Sequence, residues 1–287
     1  MSGTGPFGAE PAGHFNFDPP TEGALYLEPT PKRIRVVLAG ETIADSRTAM
    51  LLHETRHQPI YYFPPEDVRT GTLEPSDRHT RCPMKGEASY YTIRAGDRTI
   101  DPGAWYYPHP LAGAPPIRDL IAFYWNRMDR WLEEDEEVLV HPRDPYHRID
   151  VLQTNRCVRV SLQGEVLAES NGALALFESN LPPRWYLPRE DVRAELEPSE
   201  TVTRCPYKGK AAYHSVKLPS DRVVSDLVWS YAEPFAEAAR IKDRLCFLDE
   251  KVDLELDGEP QARPASPWQD GTGAREAQNA PPAQTRG

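Results

Sequence analysis

Hydrophobic and polar positions alternate along this chain in short runs, a pattern typical of β-strands. Residues 34–38 and 41–44 are β-prone and flank Ala39-Gly40, which predicts a β-hairpin around a tight turn. Further strands are predicted between proline and glycine positions, at residues 49–52, 60–63, 88–94 and 99–107. The pattern therefore predicts a mainly β protein.

Two segments depart from this alternation. Residues 64–68 predict one helical turn, because proline precedes it and acids occupy its first turn. Residues 117–131 carry apolar side chains at helical spacing, yet their later counterpart, residues 252–256, alternates apolar and charged positions. Because equivalent segments should share one conformation, we predict a strand for residues 117–131.

The chain contains a tandem repeat. The run RCPMKG at residues 81–86 returns as RCPYKG at residues 204–209, and Gly40 of the predicted hairpin has its counterpart in Gly164, 124 residues later. We expect two β-rich domains, each of about 110 residues and related by a pseudo-twofold repeat, which agrees with the usual length of a domain.

The repeat sets the expected domain boundaries. We predict an N-terminal arm at residues 1–32, repeat domains at residues 33–138 and 157–259, and a disordered tail at residues 260–287, which is rich in Pro, Gln, Ala and Gly. Residues 139–156 connect the repeats. They carry prolines, an aromatic residue and many titratable groups, so we expect an ordered connector rather than a flexible one.

Charge narrows the classes of partner. The net charge is −11, whereas nucleic acids and anionic membranes attract basic surfaces, so neither is an expected partner. No run approaches 18 apolar residues, and residues 1–10 lack a basic start followed by an apolar segment. The four cysteines stand singly in the sequence, which indicates reduced thiols rather than disulfides or zinc ligands. These features predict a cytoplasmic protein without a bound metal.

Several motifs resemble one known family. GETIADS at 40–46, HET at 53–55, YYFPPEDV at 61–68, CPMKG at 82–86 and AWYYP at 104–108 are similar to the family called domain of unknown function 427, and the second repeat follows the same pattern. The resemblance covers about residues 33–256. It implies a fold of the Mss4-like or β-tent group, although the paired cysteines that hold zinc in many of those domains are absent here.

The family also carries a nucleotidyltransferase label. That chemistry needs a Gly-Ser loop followed by an Asp-x-Asp pair, or a glycine-rich phosphate loop, and this sequence has neither. An enzyme acting on a nucleotide or another small metabolite is therefore an alternative hypothesis. A scaffold that binds a protein partner through the connector is another.

Polar and aromatic residues on segments that must meet inside each domain form a candidate site. A carboxylate that follows a buried run needs a partner, and aromatic side chains can wall a pocket. The expected ligand-binding residues of the first repeat are Glu54, His57, Tyr62, Lys85, Tyr90, Trp105 and Tyr107. Their second-repeat equivalents are Glu178, Tyr186, Lys208, Tyr213, Trp229 and Tyr231.

The partner of each buried carboxylate has several candidates. Glu54 could pair with Arg35, Arg47 or Lys85. Glu178 could pair with Arg159 or Lys208. A purely structural ion pair is an equally good interpretation of either.

The candidate catalytic residues are Glu54, His53 and Cys82. A thiol three residues from a lysine can have a lowered pKa, but a buried cysteine also serves as a small apolar residue. Histidine transfers protons near neutral pH. The first repeat carries His53, His57, His79 and His109, whose counterparts are Phe177, Leu181, Val202 and Glu233.

We therefore expect the first repeat to bind a small polar or aromatic molecule in a pocket, with the second repeat as scaffold. Ordinary surface variation is the other interpretation of the histidines. Neither the motifs nor their spacing indicates a cofactor or an oligomeric state.

Overall fold

The computed structural model describes residues 13, 14, 16, 23–55 and 57–264. The chain divides into two units between Asp144 and Pro145. Both are mainly β, as predicted, and their named strands pair antiparallel. Most of the predicted tail, residues 265–287, and most of the predicted arm lie outside the described residues.

The first unit contains eleven strands among the described residues. They form three sheets with the strand orders β1-β4-β5, β11-β10-β2-β3 and β6-β7-β8-β9. The strands are β1 (Leu25–Pro29), β2 (Ile34–Leu38), β3 (Glu41–Ser46), β4 (Met50–Glu54), β5 (Ile60–Tyr62), β6 (Leu73–Cys82), β7 (Gly86–Ala95), β8 (Arg98–Pro110), β9 (Ala122–Phe123), β10 (Arg130–Glu133) and β11 (Glu136–Glu137).

The second unit also contains eleven strands among the described residues. One sheet has seven strands in the order β12-β15-β16-β20-β19-β18-β17, and the other has the order β14-β13-β21-β22. The strands are β12 (Ile149–Gln153), β13 (Val158–Leu162), β14 (Glu165–Ser170), β15 (Leu174–Glu178), β16 (Arg184–Leu187), β17 (Glu195–Cys205), β18 (Gly209–Lys217), β19 (Val223–Ser230), β20 (Leu245–Phe247), β21 (Asp253–Leu256) and β22 (Glu259–Pro260).

The two units share one strand order. In the second unit β16 pairs with β20 and completes a continuous sheet. In the first unit the equivalent strands β5 and β9 belong to different sheets, and a single β-bridge between the adjacent residues Phe63 and Ile121 connects them. The same arrangement therefore appears as two shorter sheets. The duplication read from the sequence is thus a duplication of topology.

The predicted hairpins are confirmed. In β2–β3 the turn residues Ala39 and Gly40 have φ of 52° and 76°, and in β13–β14 Gln163 and Gly164 have φ of 54° and 86°. Two successive residues with positive φ match the twist of the flanking strands, and glycine adopts such a φ at the lowest cost. The helical turn expected near residue 65 is also present, as a 3₁₀ helix at Pro65–Asp67.

The strand predicted for residues 117–131 is wrong over most of its length. Only β9 and β10 are extended, and a 3₁₀ helix at Trp125–Arg127 separates them. The indole rings of Trp125 and Trp131 stack at 4.3 Å, and the Trp131 indole nitrogen donates to the Trp125 carbonyl oxygen at 3.1 Å. This packing stabilises a bend in a segment for which the alternation of residues 252–256 predicts an extended strand.

Candidate functional site

Glu54 and Lys85 form a buried ion pair in the first unit. Glu54 ends β4, and Lys85 lies in the turn between β6 and β7. Their relative exposures are 4% and 1%, and the Lys85 ammonium contacts Oε2 of Glu54 directly. Since an isolated buried charge is costly, the direct contact between the two groups offsets part of the cost of burying each.

The second unit repeats this pair with Glu178 and Lys208. Glu178 ends β15, Lys208 lies between β17 and β18, and the Lys208 ammonium contacts Oε2 of Glu178. Burial alone would raise the pKa of Glu178, but the Lys208 charge and hydrogen bonds from His147 and Lys208 lower it to about 2. Burial opposes protonation of Lys208, yet the neighbouring Cys205 and Glu178 raise its pKa. Both groups are therefore charged at neutral pH.

Only the lysines among the candidate partners meet these carboxylates. Arg35 instead donates to Asp135 and to the carbonyl oxygen of Glu134, both at 2.5 Å. The Arg159 guanidinium lies 3.9 Å from Glu169. Arg47 lines a cavity to which neither member of the Glu54–Lys85 pair contributes.

The turn that carries each lysine depends on glycine. Gly86 and Gly209 have φ of 106° and 101°, a conformation that residues with a side chain rarely adopt. A Cβ at Gly86 would lie 3.2 Å from the His109 carbonyl oxygen, and one at Gly209 would lie 3.2 Å from the Glu233 carbonyl oxygen. Glycine lets two strands approach closely while the preceding lysine is buried.

A tryptophan–tyrosine hydrogen bond is also present in both units. The indole nitrogen of Trp105 donates to the hydroxyl of Tyr62 at 3.3 Å, and that of Trp229 donates to Tyr186 at 3.1 Å. All four side chains are buried, and burial raises the pKa of Tyr62 and of Tyr186 far above the ordinary tyrosine value. Both hydroxyls are consequently neutral at any physiological pH.

The remaining tyrosines have different environments. The Tyr90 hydroxyl shares a hydrogen bond with Thr80 at 2.6 Å, and the Tyr213 hydroxyl shares one with Thr203 at 3.2 Å. Tyr107 is fully buried, and no described residue forms a hydrogen bond with its hydroxyl. Burial, followed by the neighbouring Tyr62, raises the pKa of Tyr107, so this hydroxyl is an intact donor.

In the second unit, Tyr231 is the equivalent of Tyr107. Burial, followed by the neighbouring Tyr186, raises its pKa as well. Its hydroxyl is therefore protonated under the same conditions.

The cysteines of the two repeats differ in exposure. Cys82 is buried, Cys205 is half-buried, and neither forms a disulfide. Cys82 is among the groups that raise the pKa values of Tyr62 and Tyr107, which places its thiol close to them. Buried thiols of this kind pack as small apolar groups.

The four histidines of the first repeat do not converge. His57 lies 3.9 Å from Oε1 of Glu54, and burial lowers its pKa despite that carboxylate. His53 is fully buried, 2.7 Å from Glu28, whereas His79 and His109 are exposed. Only His57 joins the Glu54–Lys85 pair.

The sequence comparison missed a histidine in the second unit. His147 Nε2 lies 2.9 Å from Oε1 of Glu178, and its imidazole stacks on Tyr207 with ring centroids 3.9 Å apart. His147 lies in the predicted connector, before the second repeat, so it has no position in the repeat that aligns with His57. Its proximity in sequence to β12, which pairs with β15, was the available signal.

An open cavity of about 350 Å³ lies elsewhere in the first unit, lined by Arg33, Asp45, Arg47, Thr48 and Asp67. None of the predicted site residues lines it. Within the part of the chain that the structure describes, no three His, Cys, Asp or Glu side chains are grouped so that they could hold a metal ion. No helix in that part is long and apolar enough to cross a membrane.

Two mainly β units that share one strand order, one buried Glu–Lys pair and one Trp–Tyr hydrogen bond define a tandem-repeat protein. The family model described as "Domain of unknown function (DUF427)" matches residues 26–134 and again residues 150–258, and the chain belongs to this family. No curated protein matches the chain.

Proposed function

We propose that the first unit binds a small planar molecule that carries an amide or a similar pair of adjacent donor and acceptor atoms. The Tyr107 hydroxyl is the observation that carries this proposal. It is buried, and no described residue accepts its hydrogen. An unsatisfied buried hydroxyl costs about 1–3 kcal/mol, so a partner from outside the chain would recover that cost.

The surrounding groups suit such a ligand. An amide oxygen can accept from Tyr107, and an amide nitrogen can donate to the Glu54 carboxylate, which is among the groups that raise the pKa of Tyr107. The buried Trp105 and Tyr62 rings offer apolar surface to a flat ring. The notable feature is that donor, acceptor and aromatic surface belong to one cluster.

Binding has to open this cluster. Glu54 and Lys85 contact each other, so a ligand must separate them or lie beside them. A ligand that binds only the folded state raises the unfolding temperature by mass action. Because the cluster has to open first, we expect the ligand to associate slowly.

Thermal unfolding in the presence of nicotinamide tests the proposal. We expect nicotinamide at millimolar concentration to raise the unfolding temperature of the parent, and Tyr107→Phe to reduce the affinity about tenfold, as loss of one buried hydrogen bond predicts. Tyr106→Phe is the matched control, because the Tyr106 ring stacks instead on Tyr91 at 4.8 Å. Equal responses of Tyr107→Phe and the parent, or no response of the parent, would exclude this function.

A second candidate function is catalysis by the same cluster. His57 favours it, since burial lowers its pKa and a neutral imidazole 3.9 Å from Glu54 can accept a proton. Incubation with ATP, followed by phosphorus NMR, tests the nucleotide version of this activity. Turnover that disappears in His57→Leu supports it, and a parent protein without turnover speaks against it.

A further inference from the structure

Each unit brings a histidine to the same carboxylate from a different place in the chain. His57 follows Glu54 by three residues, and His147 precedes β12. At the repeat spacing of 124 residues, His57 corresponds to Leu181 and His147 to Gly23. The two histidines are therefore not copies of one ancestral residue, although both face Oε1 of the buried glutamate while the lysine contacts Oε2.

The histidine of the second unit is held in place by an aromatic residue. Tyr207 is stacked on the His147 imidazole with an interplanar angle of 14°. It immediately precedes Lys208, where the first unit has Met84. Tyrosine in place of methionine thus provides a flat surface beside the ion pair of the second unit. This is also the unit whose histidine, His147, lies outside the aligned repeat.

Charge neutrality does not require this histidine. One lysine already balances one carboxylate in each unit. Because an ionised carboxylate can only accept, His147 Nε2 carries the hydrogen of its 2.9 Å contact with Glu178. The contact fixes the orientation of the ring, as in sites where a histidine is positioned for a ligand.

We infer that the second unit carries a second ligand site of the same class, in which His147 contacts the buried Glu178 where His57 lies beside Glu54 in the first unit. This inference rests on the proposed function of the first unit. The Glu178–Lys208 pair, the Trp229–Tyr186 hydrogen bond and the buried Tyr231 are the second-unit equivalents of the acceptor, the aromatic surface and the tyrosine of the first unit. The second unit is then not merely a scaffold.

Equilibrium dialysis of the full chain against labelled nicotinamide tests this inference through stoichiometry. We expect two molecules bound per chain in the parent, and one in either Glu54→Gln or Glu178→Gln. His147→Leu should weaken the second site about tenfold and leave the first unchanged. His147→Gln keeps a donor near the position of Nε2 and should restore most of that affinity, which separates loss of the contact from loss of folding.

The outcomes are distinguishable. A parent that binds one molecule, lost in Glu54→Gln, overturns the second site and leaves the proposed function intact. Two bound molecules in both the parent and His147→Leu, with equal affinities, overturn the role of His147. A parent that binds none overturns the proposed function and this inference together.

Discussion

Arg184 and Glu250 form a bidentate ion pair inside the second unit, with guanidinium nitrogens 2.9 and 2.5 Å from the two carboxylate oxygens. Asp249 lies 3.4 Å from the same guanidinium, which also faces the Trp229 ring at 5.4 Å. All three charged residues are buried. At the repeat spacing the first unit has Ile60, Trp125 and Asn126 in their places, so this charged cluster belongs to the second unit alone.

Arg184→Met should destabilise the second unit strongly. The substitution keeps an unbranched side chain but leaves the buried Glu250 and Asp249 without their cation, and breaking a buried pair in this way costs about 3–5 kcal/mol. Hydrogen exchange of the second unit measures the loss. The control is Arg193→Met, which removes an exposed pair with Glu169 at 3.1 Å and should cost about 1 kcal/mol or less. Similar losses in the two variants would contradict a special role for Arg184.

Asp249 should make the second unit less stable as pH rises. Burial is the main cause that raises its pKa from 3.8 to about 7, with a smaller increase from Glu250, while Arg184 opposes both. The folded state therefore holds the proton more tightly than the unfolded chain. This stability is fully present below pH 3.8 and is lost as pH rises to about 7; the difference between those values corresponds to about 4 kcal/mol.

The Asp249→Asn variant isolates that dependence. Asparagine cannot titrate. The difference in unfolding free energy between the parent and Asp249→Asn should therefore change between about pH 4 and pH 7 and stay constant above pH 7. Urea unfolding at several pH values, monitored by hydrogen exchange in the second unit, measures it. A difference that does not vary with pH would show that Asp249 is not buried as a neutral acid.

Glu178 should have the opposite dependence. Its folded pKa of about 2 lies below the ordinary value of 4.5, so the stability it contributes is present above pH 4.5 and is lost as pH falls toward 2. The difference corresponds to about 3 kcal/mol. In a plot of unfolding free energy against pH, Glu178→Gln should remove this loss of stability at acidic pH. The slope between pH 5 and pH 8 should stay the same as in the parent. If Glu178→Gln lost as much stability at acidic pH as the parent, the contacts of Glu178 with Lys208 and His147 would not be the cause of its low pKa.

The sequence predicted the strands with a buried face. In β2, Ile34, Val36 and Leu38 are buried, and the residues between them are partly exposed, which is the alternation that the hydrophobic pattern follows. The hydrophobic pattern did not predict β6. This strand lies at the edge of its sheet, so its residues are mostly polar and exposed. Backbone hydrogen bonds to β7 hold it in place. An edge strand of this kind leaves no hydrophobic signal.

The candidate site could be predicted only in part. Lys85 was one of three possible partners of Glu54, and the choice depends on how β4 lies relative to the turn between β6 and β7. Local sequence does not encode that distance. His147 was missed because its contact with Glu178 depends on strand pairing between β12 and β15 and on the stack with Tyr207. Both are long-range relationships that appear only in the folded chain.

Gly86→Ala should loosen the turn that holds Lys85. Alanine at φ of 106° is strained, and its Cβ would lie 3.2 Å from the His109 carbonyl oxygen, so we expect a loss of about 1–3 kcal/mol in unfolding free energy. Urea unfolding measures the global effect. Alkylation of Cys82, which is 2% exposed and ends the strand before this turn, measures the local effect and should become faster.

Gly113→Ala is the matched control for this turn. A Cβ at Gly113 meets nothing within 4 Å, so the variant should stay within about 0.5 kcal/mol of the parent and leave Cys82 protected. If Gly86→Ala were as stable as Gly113→Ala and Cys82 equally unreactive in both, the close approach of the two strands at Gly86 would not be what keeps Lys85 buried against Glu54.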